Sequence, residues 1–175
     1  MKTMKISSFI VGTWRVLSIL LVFGLSVFSY TLFSEDVGVH FDQFGKADKY
    51  LRKSDIFYIA MGLILVNNVL LLGLGRRLLT MPSHLLPIPN QAAWSANREA
   101  LNEHLKNWFY CLVAAINTIA ALGIFSLASV NNTTTQYTVN SFDWLIYLTC
   151  GLLIVILFAL PIRLAIKPSV VSGKW

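Results

Sequence analysis

His40, Asp42 and Asp48 stand close together in the chain, and an imidazole with two carboxylates is donor chemistry that suits zinc or manganese. In a strand, His40 and Asp42 would share one side. No second histidine or cysteine lies near them, and Lys46, Lys49 and Arg52 are placed to pair with the same carboxylates. The segment therefore reads as a loop held by hydrogen bonds and local ion pairs, with no metal. His84 and His104 have no partner set and are assigned no chemistry. No Ser-His-Asp or Cys-His set, HExxH motif or glycine-rich phosphate loop occurs, so no enzyme is expected. None of the three histidines falls inside an apolar run, so haem would lack an axial ligand and no cofactor is expected.

Three polar residues do fall inside apolar runs. Asn67 and Asn68 lie near the middle of one, and Asn117 near the middle of another. At equal depth they would hydrogen-bond across antiparallel helices, at about 0.6 kcal/mol each and seldom above about 1.7. That is enough to fix how one helix rotates against another. No Asp, Glu, His or Lys sits at mid-run, which argues against a proton relay or ion-coupled transporter.

The elements that carry these residues follow from composition. Of 175 residues, 56% are hydrophobic and only 13% charged, where a soluble domain carries about 25% charged residues. With a mean hydropathy of +0.66, the chain reads as an integral membrane protein. Two cysteines, Cys111 and Cys150, are too few for a disulfide scaffold and behave as small hydrophobes. A spanning helix needs roughly 20 apolar residues. Four segments qualify, residues 16–33, 56–75, 108–130 and 144–164. The first lacks an Ala-x-Ala-like site and reads as an uncleaved span. The fold expected is all-α, one four-helix membrane domain with an outer loop 34–55 and an inner loop 76–107.

Charge sets the expected orientation. Lys2, Lys5, Arg76, Arg77, Arg98, Lys106, Arg163, Lys167 and Lys174 fall on one side, against Lys46, Lys49, Arg52 and Lys53 on the other. The basic excess places both termini in the cytoplasm. The net charge of +6 thus describes a membrane orientation and not a nucleic-acid partner. Arg15 and Trp14 read as an anchor at the inner interface, and Trp108, Trp144 and Tyr58 as members of the aromatic belts. Pro161 predicts a kink near the inner end of the fourth span.

In the outer loop, Val37, Val39 and Phe41 alternate with Gly38, His40 and Asp42, a short strand pattern. Gln43-Phe44-Gly45 supplies a turn, with Gly45 free to take positive φ. His40, Phe41, Asp42, Gly45 and Asp48 match in order a Pro-x-His-Phe/Trp-(Asn/Asp)-x-x-Gly-x-x-Asp pattern. The stretch 15–75 thereby resembles the short N-terminal domain of unknown function shared by SdpI-like bacterial membrane proteins. Gly38 stands where that pattern has proline, and Lys49 where a glycine is common. The resemblance implies a multi-pass protein of the bacterial inner membrane, with an immunity or signalling role directed at a secreted peptide met by the outer loop.

The inner loop carries three prolines, Pro82, Pro87 and Pro89, which bar a helix and favour an extended course. Asn90 or Ser95 then caps a helix that enters the membrane as a cytoplasmic extension of the third span. Asn90, Trp94 and Arg98 are spaced by four residues and would share one helical face. A similar Pro-Asn…Trp…Arg pattern accompanies the outer-loop motif in short proteins of the same kind. These three residues are candidate contacts for a partner, beside their plainer use as cap, anchor and headgroup contact. Glu103 is placed near Lys106 on a solvated face. The alternative function is an accessory subunit that packs its helices on a larger inner-membrane complex. The lipid bilayer is the partner common to both readings.

Overall fold

A computed structural model describes residues 5–132, 134 and 137–168. Lys2 and Lys174 lie outside the described residues. Four helical segments are long and apolar enough to cross a bilayer: Ile6–Leu32, Lys53–Thr80, Arg98–Asn131 and Val139–Ala165. The first is helix α1 (Ile6–Leu32). The second consists of α2 (Lys53–Leu65) and α3 (Leu72–Thr80), joined without a break through a π-helical turn, Val66–Leu71. A short helix α4 (Gln91–Ala96) precedes α5 (Arg98–Asn131). A 3₁₀ turn at Val139–Phe142 leads into α6 (Trp144–Ala165). Both α1 and α5 begin earlier than the apolar runs predict, because their first turns are carried by mixed polar residues outside the greasy stretch.

Helix α5 is the central post. It packs most extensively on α1, and also on α3, α6 and the π turn. Small residues explain the closeness. The buried positions of α1 include Ser18, Ser26 and Ser29, and those of α5 include Ala114, Ala121 and Ala128 at intervals of seven. Small side chains let two helix backbones approach where no hydrophobic drive operates between helices. Two of the serines turn their hydroxyls back on the helix: Ser26 Oγ donates to Val22 O at 2.7 Å and Ser18 Oγ to Arg15 O at 2.9 Å, while Ser29 Oγ is buried without a partner. Outward faces are mostly apolar, as with Leu20 on α1 and Tyr147 on α6, a surface suited to hydrocarbon.

Helices α1 and α5 run in the same direction, since Lys5 meets Glu103 and Trp14 meets Thr118. Helices α3 and α6 run against them: Gly75 lies on Phe109, and Trp108 Nε1 donates to Ile156 O at 2.6 Å. The carbonyl after that one, of Leu157, loses its N–H partner to Pro161. One end of the bundle thus holds the start of α1 and the finish of α6. We call it the terminal end. The other carries a two-stranded antiparallel hairpin, β1 (Asp36–Phe41) and β2 (Ala47–Arg52), and is the hairpin end.

Gly75 is the point of closest approach between α3 and α5. A Cβ there would lie 2.9 Å from Phe109 Cγ. The clash is with the root of the ring, which cannot swing aside without moving the backbone. Gly75→Ala is expected to lower unfolding free energy in detergent by about 1–3 kcal/mol, the usual cost of overpacking. Phe109→Ala, which removes the clashing Cγ and Cδ2, should cost less in the Gly75→Ala background than alone. An unchanged thermal midpoint for Gly75→Ala would show that this contact is looser than described.

Candidate functional site

The hairpin places the loop residues. Gly45 takes φ +77°, in the left-handed region. Asp42 closes the turn around it, accepting from the Phe44 N–H at 2.8 Å and the Lys46 N–H at 2.9 Å through one carboxylate oxygen. Asp42 is therefore a turn-former and points its carboxylate at backbone. His40 and Asp48 come together from opposite strands, with His40 Nδ1 2.5 Å from Asp48 Oδ1. The pair is solvent-facing, its side chains 56% and 44% exposed. That hydrogen bond to His40, with its positive charge when protonated, holds the Asp48 carboxyl below its ordinary value of 3.8. Phe41 is half-buried at the end of β1. Among the described residues no group of three His, Cys, Asp or Glu side chains converges as a metal site.

The hairpin is fastened to the bundle at Gly38. The Asn131 side chain accepts from the Gly38 N–H at 2.8 Å and donates to the Gly38 carbonyl at 2.9 Å. The amide thus imitates a neighbouring strand. Val37, fully buried beside Phe33 and Ala128, seals the joint. A proline at 38 would have no N–H to give, and any Cβ there would meet Ala47 Cβ at 2.7 Å. Asn131 was not among the residues singled out from sequence. Its signal was its position, two sevens after Asn117 on the same face of one helix.

Strand pairing leaves one edge open. Lys53 N–H donates to Glu35 O at 3.0 Å, which makes 35 and 53 a hydrogen-bonded pair. By alternation, Gly38 and Tyr50 form a non-hydrogen-bonded pair, whose backbone groups point away from the ladder. Those of Gly38 go to Asn131, and those of Tyr50 face the outer edge of β2. Among the described residues no third strand joins the sheet.

A second polar centre lies mid-bundle. Asn117 Oδ1 accepts from Asn67 Nδ2 at 2.8 Å and from Asn68 Nδ2 at 3.1 Å. Adjacent residues of an α-helix point about 100° apart and do not share a face. Both asparagines lie in the π turn Val66–Leu71 and reach the one acceptor from there. Asn67 also donates to Val113 O at 3.0 Å, and Asn117 reaches Ser18 Oγ of α1 at 3.4 Å. Three helical elements meet here.

The inner-loop trio works within the chain. Trp94 is fully buried, and its indole N–H donates to Leu164 O at 2.9 Å. Asn90 Nδ2 donates to Ala165 O at 2.8 Å, from a left-handed backbone with φ 52° and with no side-chain cap of its own helix. Arg98 donates to Leu79 O at 2.9 Å, Leu78 O at 3.2 Å and Ser83 Oγ at 3.1 Å. Together they cap the last carbonyls of α3 and α6. Their polar groups bond this chain's own helix ends. Glu103 pairs with Lys5 at 2.5 Å and not with Lys106.

No protein-family model, curated protein or solved structure matches the chain.

Two expectations follow from this geometry. Asn117→Leu removes the shared acceptor, yet Asn67 keeps Val113 O and Asn68 keeps Ile64 O. The loss of unfolding free energy should therefore stay within about 0.6–1.7 kcal/mol. A loss several times larger, read from thermal melts, would mean that the node holds more than helix rotation. For the hairpin, a lowered carboxyl pKa contributes stability above the ordinary value and loses it as pH falls through the lowered one. Amide exchange at Leu51, which alternation makes a hydrogen-bonded pair with Val37, should stay slow at pH 5 and quicken on acidification below the ordinary carboxylate range. Asp48→Asn should remove that acid dependence. If it persists in this variant, another group controls it.

Proposed function

We propose that this chain is a non-catalytic multi-pass protein of a bacterial inner membrane that senses, or protects against, an extracellular peptide. In this reading both termini lie in the cytoplasm and the hairpin faces outward, following the basic excess at the terminal end. The resemblance of His40, Phe41, Asp42, Gly45 and Asp48 to the SdpI-like motif favours an immunity or signalling role.

The observation that carries the reading is the one-sided hairpin. One edge is closed by Asn131, and the other presents the backbone of Tyr50 to solvent. An extended peptide can add itself to such an edge as a further strand, with main-chain hydrogen bonds giving affinity. Side chains beside the edge would then give selectivity, and His40 with Asp48 is the charged pair on offer there.

The test is survival of cells exposed to the cognate peptide toxin. His40→Ala and Asp48→Ala are expected to lower protection strongly at unchanged membrane abundance. Unchanged survival of both variants would sink the protective role. Recovery of a stoichiometric membrane subunit in mild detergent, together with unchanged survival, would favour an accessory subunit instead. Helix α6 suits that outcome, since its buried residues are only Ile156 and Leu164.

A further inference from the structure

Near the terminal end a cavity of about 290 Å³ opens between α1, α3 and α5. Leu72 and Phe109 wall it, and Arg15, Arg76, Lys106 and Tyr110 ring it. Three cations face one space that no carboxylate lines. Two of them share a ring: the Arg15 guanidinium lies 4.7 Å from the Tyr110 centroid and Lys106 Nζ 5.4 Å. Among the described residues none of the three has an ion-pair partner. The carboxylate best placed to help, Glu103, is taken by Lys5. Like charges gathered around a part-apolar cavity repel one another, and an anion between them relieves the repulsion.

Depth says what kind of anion. Arg15 precedes the end of α1 at Leu32 by 17 residues, about 26 Å at 1.5 Å per residue. Tyr110 precedes the end of α5 at Asn131 by 21 residues, about 32 Å. Arg76 follows Lys53 by 23 residues, about 35 Å along the second span. A hydrocarbon core is about 30 Å thick. Measured from the hairpin end, the ring of cations falls where the far headgroup layer begins. The volume is at the lower limit of small-molecule sites, roughly 300 Å³. It admits a headgroup phosphate and leaves the acyl chains to lie along the apolar outer faces of the helices.

We propose that this cavity binds the headgroup phosphate of an anionic phospholipid. Arg15 and Arg76 supply forked N–H donors suited to phosphate oxygens, and Lys106 adds a point charge. Tyr110 holds Arg15 and Lys106 over its ring, so the site is partly formed before the lipid arrives. The proposal rests on the membrane reading above.

Full-length protein in a mild non-ionic detergent is offered phosphatidylglycerol or phosphatidylcholine, and retained lipid is counted by native mass spectrometry. Phosphatidylglycerol should be retained in clear preference. Arg15→Gln, and the double variant Arg76→Gln/Lys106→Gln at exposed positions, should each weaken the preference by about five-fold per cation removed. Lys46→Gln/Lys49→Gln at the hairpin end should keep it. Equal retention of the two lipids by the unaltered protein overturns the proposal, as does undiminished preference in both variants. Displacement of phosphatidylglycerol by inorganic phosphate alone would assign the cavity to a soluble anion and overturn the lipid assignment. Extraction of the protein from cells without detergent would defeat the membrane reading separately.

Discussion

A polar group enclosed by apolar helices has no water to bond, so it must find its partner in the chain itself. Side-chain amides answer that constraint at every level of this structure. Asn131 bonds the backbone of Gly38, Asn67 the carbonyl of Val113, and Asn90 the carbonyl of Ala165. Each of these links joins elements far apart in sequence. Apolar packing alone is tolerant of rotation about a helix axis. A bond from an amide to one named carbonyl is not, and it is these bonds that fix which faces meet.

The same constraint accounts for the one irregular helix. A straight α-helix would aim Asn67 and Asn68 in different directions and leave one amide without its partner on α5. Within the wider turn at Val66–Leu71 both reach Asn117. Helix ends are handled similarly. The carbonyls of α3 and α6 that run out of intrahelical donors are met by Arg98 and by Trp94 with Asn90. The connection between α3 and α5 is therefore a folded clasp over two helix ends.

Hydropathy made the four spans legible, because twenty apolar residues in a row admit few other structures. The strand at 36–41 and the turn at Gly45 were legible too, since alternation and a positive-φ glycine are local signals. The return strand β2 was not, because half of Ala47–Arg52 is charged and the segment takes its shape from pairing with β1. The Asn67–Asn68–Asn117 meeting could be expected from equal depth, but the π turn that permits it could not, since nothing in Val66–Leu71 itself calls for the extra width. Asn90, Trp94 and Arg98 showed their common spacing and hid their targets. Those targets are backbone carbonyls, which every residue possesses and no sequence pattern marks. Arg15 read as an interfacial anchor, yet its neighbours in the cavity come from two other helices.

The two ends of the bundle are built on opposite plans, and the clamp at Gly38 explains why. At the terminal end backbone groups are consumed by side chains, and what remains presented is charge around a cavity. At the hairpin end a single asparagine closes one edge of a two-stranded sheet and so leaves the other as the place where backbone is presented. A free two-stranded hairpin is marginally stable in water. Anchored through Asn131 and Val37 to the longest helix, it has a fixed base, and an incoming strand need not pay to order it. On the reading proposed above, recognition at the hairpin therefore depends on a residue that never touches the peptide. Asn131 sets the orientation of the open edge, while His40 and Asp48 act from its surface.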